Sequence, residues 1–294
     1  MTTDIVLVIP IGPGTPADFV IDTIESYCHH TSRSYEVVLT DDSHQGVGGQ
    51  VQASLPFCNL LHTPRPMGGW AGLYINLATA YRYALDNFQF KALLKLDTDA
   101  LVIAPEPEKE ALELFDADTM AGMAGQYPLT YNGEPWNIRW PRQRIFNSTR
   151  SWKFFARPLA NAQLMGYYRK ALKNGYDTGE SVFGGAYFFS HRCLAALERQ
   201  QLLPRKSFRS LNLGEDHLFS LLVKSLGFSL NSLSTAGGPV GCSWKGLPAA
   251  PEKLVTDGKK IIHSTRQWEH WDEKAIRDYY KSRRGNPENV AVNY

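Results

Sequence analysis

Cysteine is scarce and unpatterned. Cys28, Cys58, Cys193 and Cys242 are the only ones in 294 residues, and no two form a CxxC pair. That spacing argues against a disulfide framework or a zinc site and suits buried, reduced thiols in a cytoplasmic compartment. Long apolar runs are also missing: Lys, Asp or Gly interrupts every stretch before the roughly 18 residues of a membrane-spanning helix. A soluble chain without a membrane span is therefore expected. Excess charge of either sign is lacking too, with 31 basic against 29 acidic side chains, so no global field recruits nucleic acid or an anionic membrane. The start, Met1 to Asp4, carries no basic leader or small-residue cleavage site before the apolar Ile5–Ile9, and secretion is not expected. Finally, no GxxxxGK[ST] phosphate loop occurs. The run Gly46-Val47-Gly48-Gly49 lacks the required Lys and hydroxyl and reads as a flexible loop.

What is present is an alternation. Ile5 to Ile9 reads as a strand, Pro16 to Cys28 as a helix and Glu36 to Leu39 as a second strand, the βαβ rhythm of a mainly parallel sheet. Leu73 to Phe88 has the spacing of an amphipathic helix, and Lys91 to Leu96 reads as a further strand. Ligands of open α/β sheets bind outside the carboxyl ends of strands, so the residues after Ile9, Leu39 and Leu96 are expected to line one crevice. From about Gln126 the rhythm is lost and Trp, Arg, Tyr and Pro accumulate. Asn161 to Asn174 and Glu215 to Leu226 still read as helices and Ala186 to Ser190 as a strand.

The sharpest chemical signal is Asp97-Thr98-Asp99 at the end of the apolar run that closes on Leu96. A bare Asp-x-Asp is common, and Asp116-Ala117-Asp118 serves as an internal control because it follows the helical run Glu108 to Phe115 instead of a strand. Two carboxylates at a strand end suit a hard divalent ion, Mg²⁺ or Mn²⁺, that shares oxygen ligands with water and substrate phosphates. Asp41 and Asp42, after the second strand, read either as ligand-binding carboxylates or as turn residues.

In order along the chain, Val8-Ile9-Pro10, Val37-Val38-Leu39-Thr40-Asp41-Asp42-Ser43, the helix from Gly72 to Leu85 and Asp97-Thr98-Asp99 resemble the large inverting GT-A glycosyltransferase family that includes bacterial polysaccharide and cellulose synthases. The resemblance spans residues 4–104 and continues more loosely to about 230. It implies an α/β GT-A fold: a Rossmann-like, mainly parallel central sheet flanked by helices, with a more irregular acceptor-binding half. The implied organisation is a nucleotide-sugar-binding half over 1–125, an acceptor-binding half over 126–262 sharing the same sheet, and a closing segment over 263–294. It further implies that Asp41 binds the nucleobase with Asp42 close by, beside the backbone of Pro10, Ile11 and Gly12. Asp97 would contact the ribose or donor sugar, and Asp99 the metal. The chain departs from the family after its first Pro, where Ile11-Gly12-Pro13-Gly14 replaces a Tyr-Asn pair.

Leu213-Gly214-Glu215-Asp216-His217 precedes an amphipathic run. An acidic pair there either caps a helix or, as the resemblance implies, supplies the general base, with Asp216 taking the acceptor proton and Glu215 beside it. Gly184 and Gly185 resemble the small-residue loop beneath the acceptor, where glycine lets the backbone come close. His263, ending the apolar run Ile261-Ile262, resembles the late histidine that completes the metal shell in several GT-A enzymes, so the expected ligand set is Asp97, Asp99 and His263. The tryptophans are either sugar platforms or packing residues, and Trp136 and Trp244 are the expected acceptor contacts. Arg139, Arg142, Arg144 and Arg150 interleave with Trp136, Trp140 and Trp152, a pattern known from RNA-binding surfaces. The balanced overall charge points instead to an acceptor-site or lid segment.

The expected activity is metal-dependent transfer of a sugar from a nucleoside-diphosphate donor, UDP-sugar favoured, to the hydroxyl of a saccharide, lipid-linked or small-molecule acceptor, with inversion. A retaining enzyme using Asp99 and His263, a sugar nucleotidyltransferase and a non-catalytic sugar-nucleotide-binding member of the fold are the alternatives. Lys281, Arg283 and Arg284 are the expected aids to peripheral membrane contact.

Overall fold

Seven successive residues, Ile5–Ile11, form β1, and every one of them is buried. A strand apolar on both faces needs cover on both, which parallel sheets obtain from crossover helices. The chain supplies them in turn: α1 (Ala17–His30), β2 (Tyr35–Asp41), α2 (Val47–Ser54), β3 (Cys58–His62), α3 (Ala71–Asn87) and β4 (Ala92–Leu96). After the Asp97–Asp99 turn come β5 (Ala100–Val102), α4 (Lys109–Ala117), β6 (Ala121–Gly125), α5 (Arg139–Thr149) and α6 (Pro158–Lys173), with a 3₁₀ turn at Trp152–Ala156 between the last two. The remainder is β7 (Ala186–Ser190), α7 (His191–Arg199), α8 (Glu215–Ser225), β8 (Ser229–Ser232), β9 (Val240–Cys242), α9 (Pro251–Thr256), β10 (Ile261–His263), the short pair β11 (Gln267–Trp268) and β12 (Trp271–Asp272), and α10 (Glu273–Arg284). This computed structural model describes residues 2–63, 67–68, 71–235 and 237–284.

The central sheet has seven strands in the order β3-β2-β1-β4-β7-β6-β8. Only β7 runs against its neighbours, pairing antiparallel with β4 and β6. The α/β class and the mainly parallel, helix-flanked sheet expected from the sequence are both present. Alternate residues of β1 feed two cores: Val6 and Val8 pack with α3, α6 and α8, and Ile5, Leu7, Ile9 and Ile11 with α1 and α4. A second sheet, β5-β10-β9, brings late residues beside the Asp97–Asp99 turn. No helix among the described residues is long and apolar enough to cross a membrane, and all four cysteines are free.

Two local expectations need correction. The Gly46–Gly49 run is no loose loop: Gly46 adopts a left-handed φ of 72° and α2 starts at Val47. Gly48 N donates to Asp41 Oδ2 at 2.8 Å, and a Cβ there would stand 2.6 Å from Leu60 Cδ1. The glycine thus serves close approach of a helix end to β2. The strand expected over Lys91 to Leu96 is present as β4, and after the two aspartates the chain continues as β5 in a different sheet. Finally, Arg139–Thr149, in the segment read as irregular, is helical.

Candidate functional site

The Asp97–Asp99 turn is held by its backbone. Asp97 N donates to Gly185 O at 2.9 Å and Ala100 N to Asp97 O at 3.0 Å. Thr23 Oγ1 lies 3.1 Å from Thr98 O and 3.0 Å from Ala100 O. Thr265 grips Asp99 O with both N, at 2.8 Å, and Oγ1, at 3.0 Å. With Asp97 N and the three carbonyl oxygens of the turn engaged, the carboxylates are presented from a fixed frame.

The antiparallel register of β10 on β5 places His263 opposite Ala100, next to Asp99. His263 Nδ1 lies 2.9 Å from Ser243 O. A carbonyl only accepts, so Nδ1 carries a proton, and Nε2 is the ring nitrogen turned to the carboxylates. Nε2 stands 3.2 Å from Asp99 Oδ1 and 3.7 Å from Asp97 Oδ2, and one ligand atom from each of the three side chains falls within 4.8 Å of the others. Ligands at about 2.1 Å from an octahedral ion lie ~3.0 Å apart when adjacent and ~4.2 Å apart when opposed. Two carboxylates and an oriented imidazole at these spacings fit a divalent cation, and the Ser243 carbonyl is the outer partner that metal-ligating histidines typically have. Burial by itself would raise the Asp99 carboxyl, but His263 and Arg266 hold it well below the usual range. Arg266 Nε approaches Asp99 Oδ2 to 2.8 Å as an ion pair without hydrogen-bond alignment.

Beneath the turn lies Lys95, fully buried in β4. Its ammonium donates to Asp97 Oδ1 at 2.6 Å and to Gly184 O, and stands 3.9 Å from Glu215 Oε1. The sequence alone assigned Lys95 no role. An ammonium at zero exposure demands counter-charges, and it finds them in both acidic motifs. Burial pushes Glu215 up to about 8, with the Asp216 charge adding to the rise and Lys95 opposing it. Asp216, at the first turn of α8, accepts from His217 N at 2.7 Å.

Gly184 and Gly185 join these groups. A Cβ on Gly184 would meet Glu215 Oε1 at 2.9 Å and Asp216 Oδ2 at 3.3 Å; one on Gly185 would meet His263 Nδ1 at 2.5 Å. Their smallness makes room for the protein's own side chains. Trp136 stacks on Phe183, centroids 5.0 Å apart at 7°, and Phe183 sets its edge on His263 at 5.5 Å. Trp244 is 68 % exposed.

The residues expected around a nucleobase sit at the β1 and β2 ends, where Ile11 pairs with Asp41. Asp41 accepts from Ser43 N at 2.8 Å, Ser43 Oγ at 2.5 Å and Gly48 N. Although burial opposes it, these bonds hold its carboxyl below the usual range. Asp42 accepts from Met67 N at 2.9 Å, Gly68 N at 3.1 Å and Thr63 Oγ1 at 2.7 Å. Both carboxylates thus organise loops of the chain. Pro10 and Ile11 are buried, whereas a Cβ on Gly12 would meet nothing within 4 Å.

No protein-family description matches the chain, and no curated protein does. Among solved structures, residues 1–349 of TarS from S. aureus are 13 % identical, with 90 % of this chain and 61 % of that one covered at a TM-score of 0.48. The mannosyltransferase PcManGT from Pyrobaculum calidifontis, in complex with GDP-Man and Mn²⁺, is 13 % identical over 99 % and 72 % of the two chains at 0.44. The bifunctional glycosyltransferase WbbM, in its apo form, is 11 % identical over 99 % and 50 % at 0.46. The chain thus spans 61 % of the length of the first of these. At such values the functional reading rests on the geometry of the site itself.

Proposed function

We propose that the protein is a metal-dependent glycosyltransferase of the GT-A type, moving a sugar from a nucleoside-diphosphate donor, UDP-sugar by preference, to an acceptor hydroxyl with inversion. The observation that carries this reading is the convergence of Asp97, Asp99 and His263 Nε2 on one point, flanked by the Glu215–Asp216 pair across Lys95. Asp97, Asp99 and His263 would hold Mn²⁺ or Mg²⁺. When bound, the cation would supply positive charge against the departing diphosphate, an effect worth several kcal/mol in such transfers.

The chain's own groups do the rest. Asp216 receives the acceptor proton as the hydroxyl oxygen bonds to the anomeric carbon and the bond from that carbon to the diphosphate oxygen breaks. Burial and the Asp216 charge raise the Glu215 carboxyl, which makes it the weaker acid of the pair and favours Asp216 as the base. Lys95 fixes Asp97 from below and holds the acidic groups at close quarters. Asp41 and Asp42 shape the base-binding end with the backbone of Pro10, Ile11 and Gly12, and Trp136 and Trp244 border the acceptor side together with Gly184 and Gly185.

A panel of nucleotide sugars, tested by thermal shift with and without Mn²⁺ on the wild type and on Asp99→Ala, checks the proposal, because a ligand of the folded state raises its stability by mass action. One donor should stabilise the wild type only with metal and leave Asp99→Ala unchanged. If no nucleotide sugar binds under any metal condition, the glycosyltransferase reading fails.

A further inference from the structure

Between Glu134 and Asp177 the chain carries nine of its 31 basic side chains and none of its 29 acidic ones, so the remainder is net negative. This stretch forms α5, the 3₁₀ turn and α6, which pack on one another. Of the nine cations only Arg142 pairs with a carboxylate among the described residues, Asp177 at 2.8 Å. The same stretch holds most of the large exposed apolar side chains among the described residues, with Trp152 and Phe155 at 78 %, Leu159 at 66 % and Phe146 at 48 %. Trp152 and Phe155 are three apart on the 3₁₀ turn, a spacing that sets side chains on one edge, and Arg150, Lys153 and Arg157, all exposed, alternate with them.

We propose that this α5–α6 face docks the protein on an anionic lipid bilayer. Cations interleaved with Trp, Phe and Leu match a surface that offers negative headgroups above an acyl boundary. Nucleic acid would use the charges but would leave Leu159 and Phe146 with little to gain. The negative remainder of the chain is repelled by the same surface and so orients the approach. Of the three cations expected to aid membrane contact at the end of α10, Arg284 is 9 % exposed and paired with Asp22, Arg283 lies against Tyr279 and only Lys281 is well exposed. The α5–α6 face also borders the candidate site, with the Trp140 ring 5.9 Å from His217, the neighbour of Asp216. Lipid binding is measured without turnover, so its outcome is separate from that of the glycosyltransferase reading.

Full-length protein is sedimented with vesicles of phosphatidylcholine alone and of phosphatidylcholine mixed with phosphatidylglycerol, at low and high salt, and its affinity for single-stranded RNA is measured in parallel. The expected result is binding to the anionic vesicles, released by salt. Trp152→Ser with Phe155→Ser, and Lys153→Glu with Arg157→Glu, should each weaken it by about tenfold or more while Tm is retained. Lys281→Glu, on α10, should bind like the wild type. Absence of anionic-vesicle binding, equal binding to the neutral vesicles, indifference to both double substitutions, or tight RNA binding without vesicle binding each overturns the proposal.

Discussion

Arg277 Nη2 donates to the carbonyl oxygen of Thr98 at 2.6 Å, so a side chain of the last described helix holds the middle residue of the Asp97–Asp99 turn. Arg277 is 3 % exposed and also bonds Asp22 at 3.0 Å, Glu273 at 2.8 Å and Phe19 O at 3.1 Å. Arg277→Met leaves Asp22 and Glu273 with a lost counter-charge, and breaking such a buried pair costs about 3 to 5 kcal/mol. Urea denaturation should show that loss. Mn²⁺ titration of the folded variant should show weaker binding, because the turn loses a donor that fixes it.

Gly185→Ala tests the close packing under His263. The added Cβ would fall 2.5 Å from Nδ1, which requires the imidazole to leave its bond with Ser243 O. Metal-dependent stabilisation should disappear in a protein whose circular dichroism is unchanged. Retention of wild-type Mn²⁺ affinity would show that the ring is not a ligand.

Removing one ligand at a time gives a graded outcome. Asp99→Asn and His263→Ala should each lower Mn²⁺ affinity by at least the ~10- to 100-fold typical of outer-shell changes. Asp118→Asn, at the end of α4, should leave it unaltered. Calorimetric titration distinguishes these.

Glu215 predicts a pH dependence of stability. Its folded-state carboxyl is raised to about 8 from an ordinary 4.5, so between those values the native state binds the extra proton. Stability from this group is complete below pH 4.5 and is lost as pH rises through about 8. Glu215→Gln removes the titration. Relative to that variant, the wild type should lose a few kcal/mol across the window in denaturant unfolding, and parallel pH profiles would refute the shift.

The strands β1, β2 and β4 were legible, and Asp97, Asp99 and His263 stood out as candidates, because each ends an apolar run in polar residues, a local pattern. What stayed hidden depended on distance along the chain. Nothing near Lys95 announces that Glu215 will come within 3.9 Å of its ammonium, and nothing near Arg277 announces Thr98. The glycines illustrate a subtler limit. Gly184, Gly185 and Gly48 were legible as small residues, but whether a glycine admits a ligand, loosens a loop or clears space for a neighbouring side chain depends on what folds against it.

The proposed metal triad straddles a pairing between a strand formed early in the chain and one formed late, β5 with β10. The seven strands of the large sheet are all in hand by Ser232, while the third ligand waits for residue 263. A growing chain can therefore complete its main scaffold, bury both faces of β1 and still have no site able to hold a cation. Metal binding, followed during synthesis, would report the arrival of β10 and not the folding of the sheet.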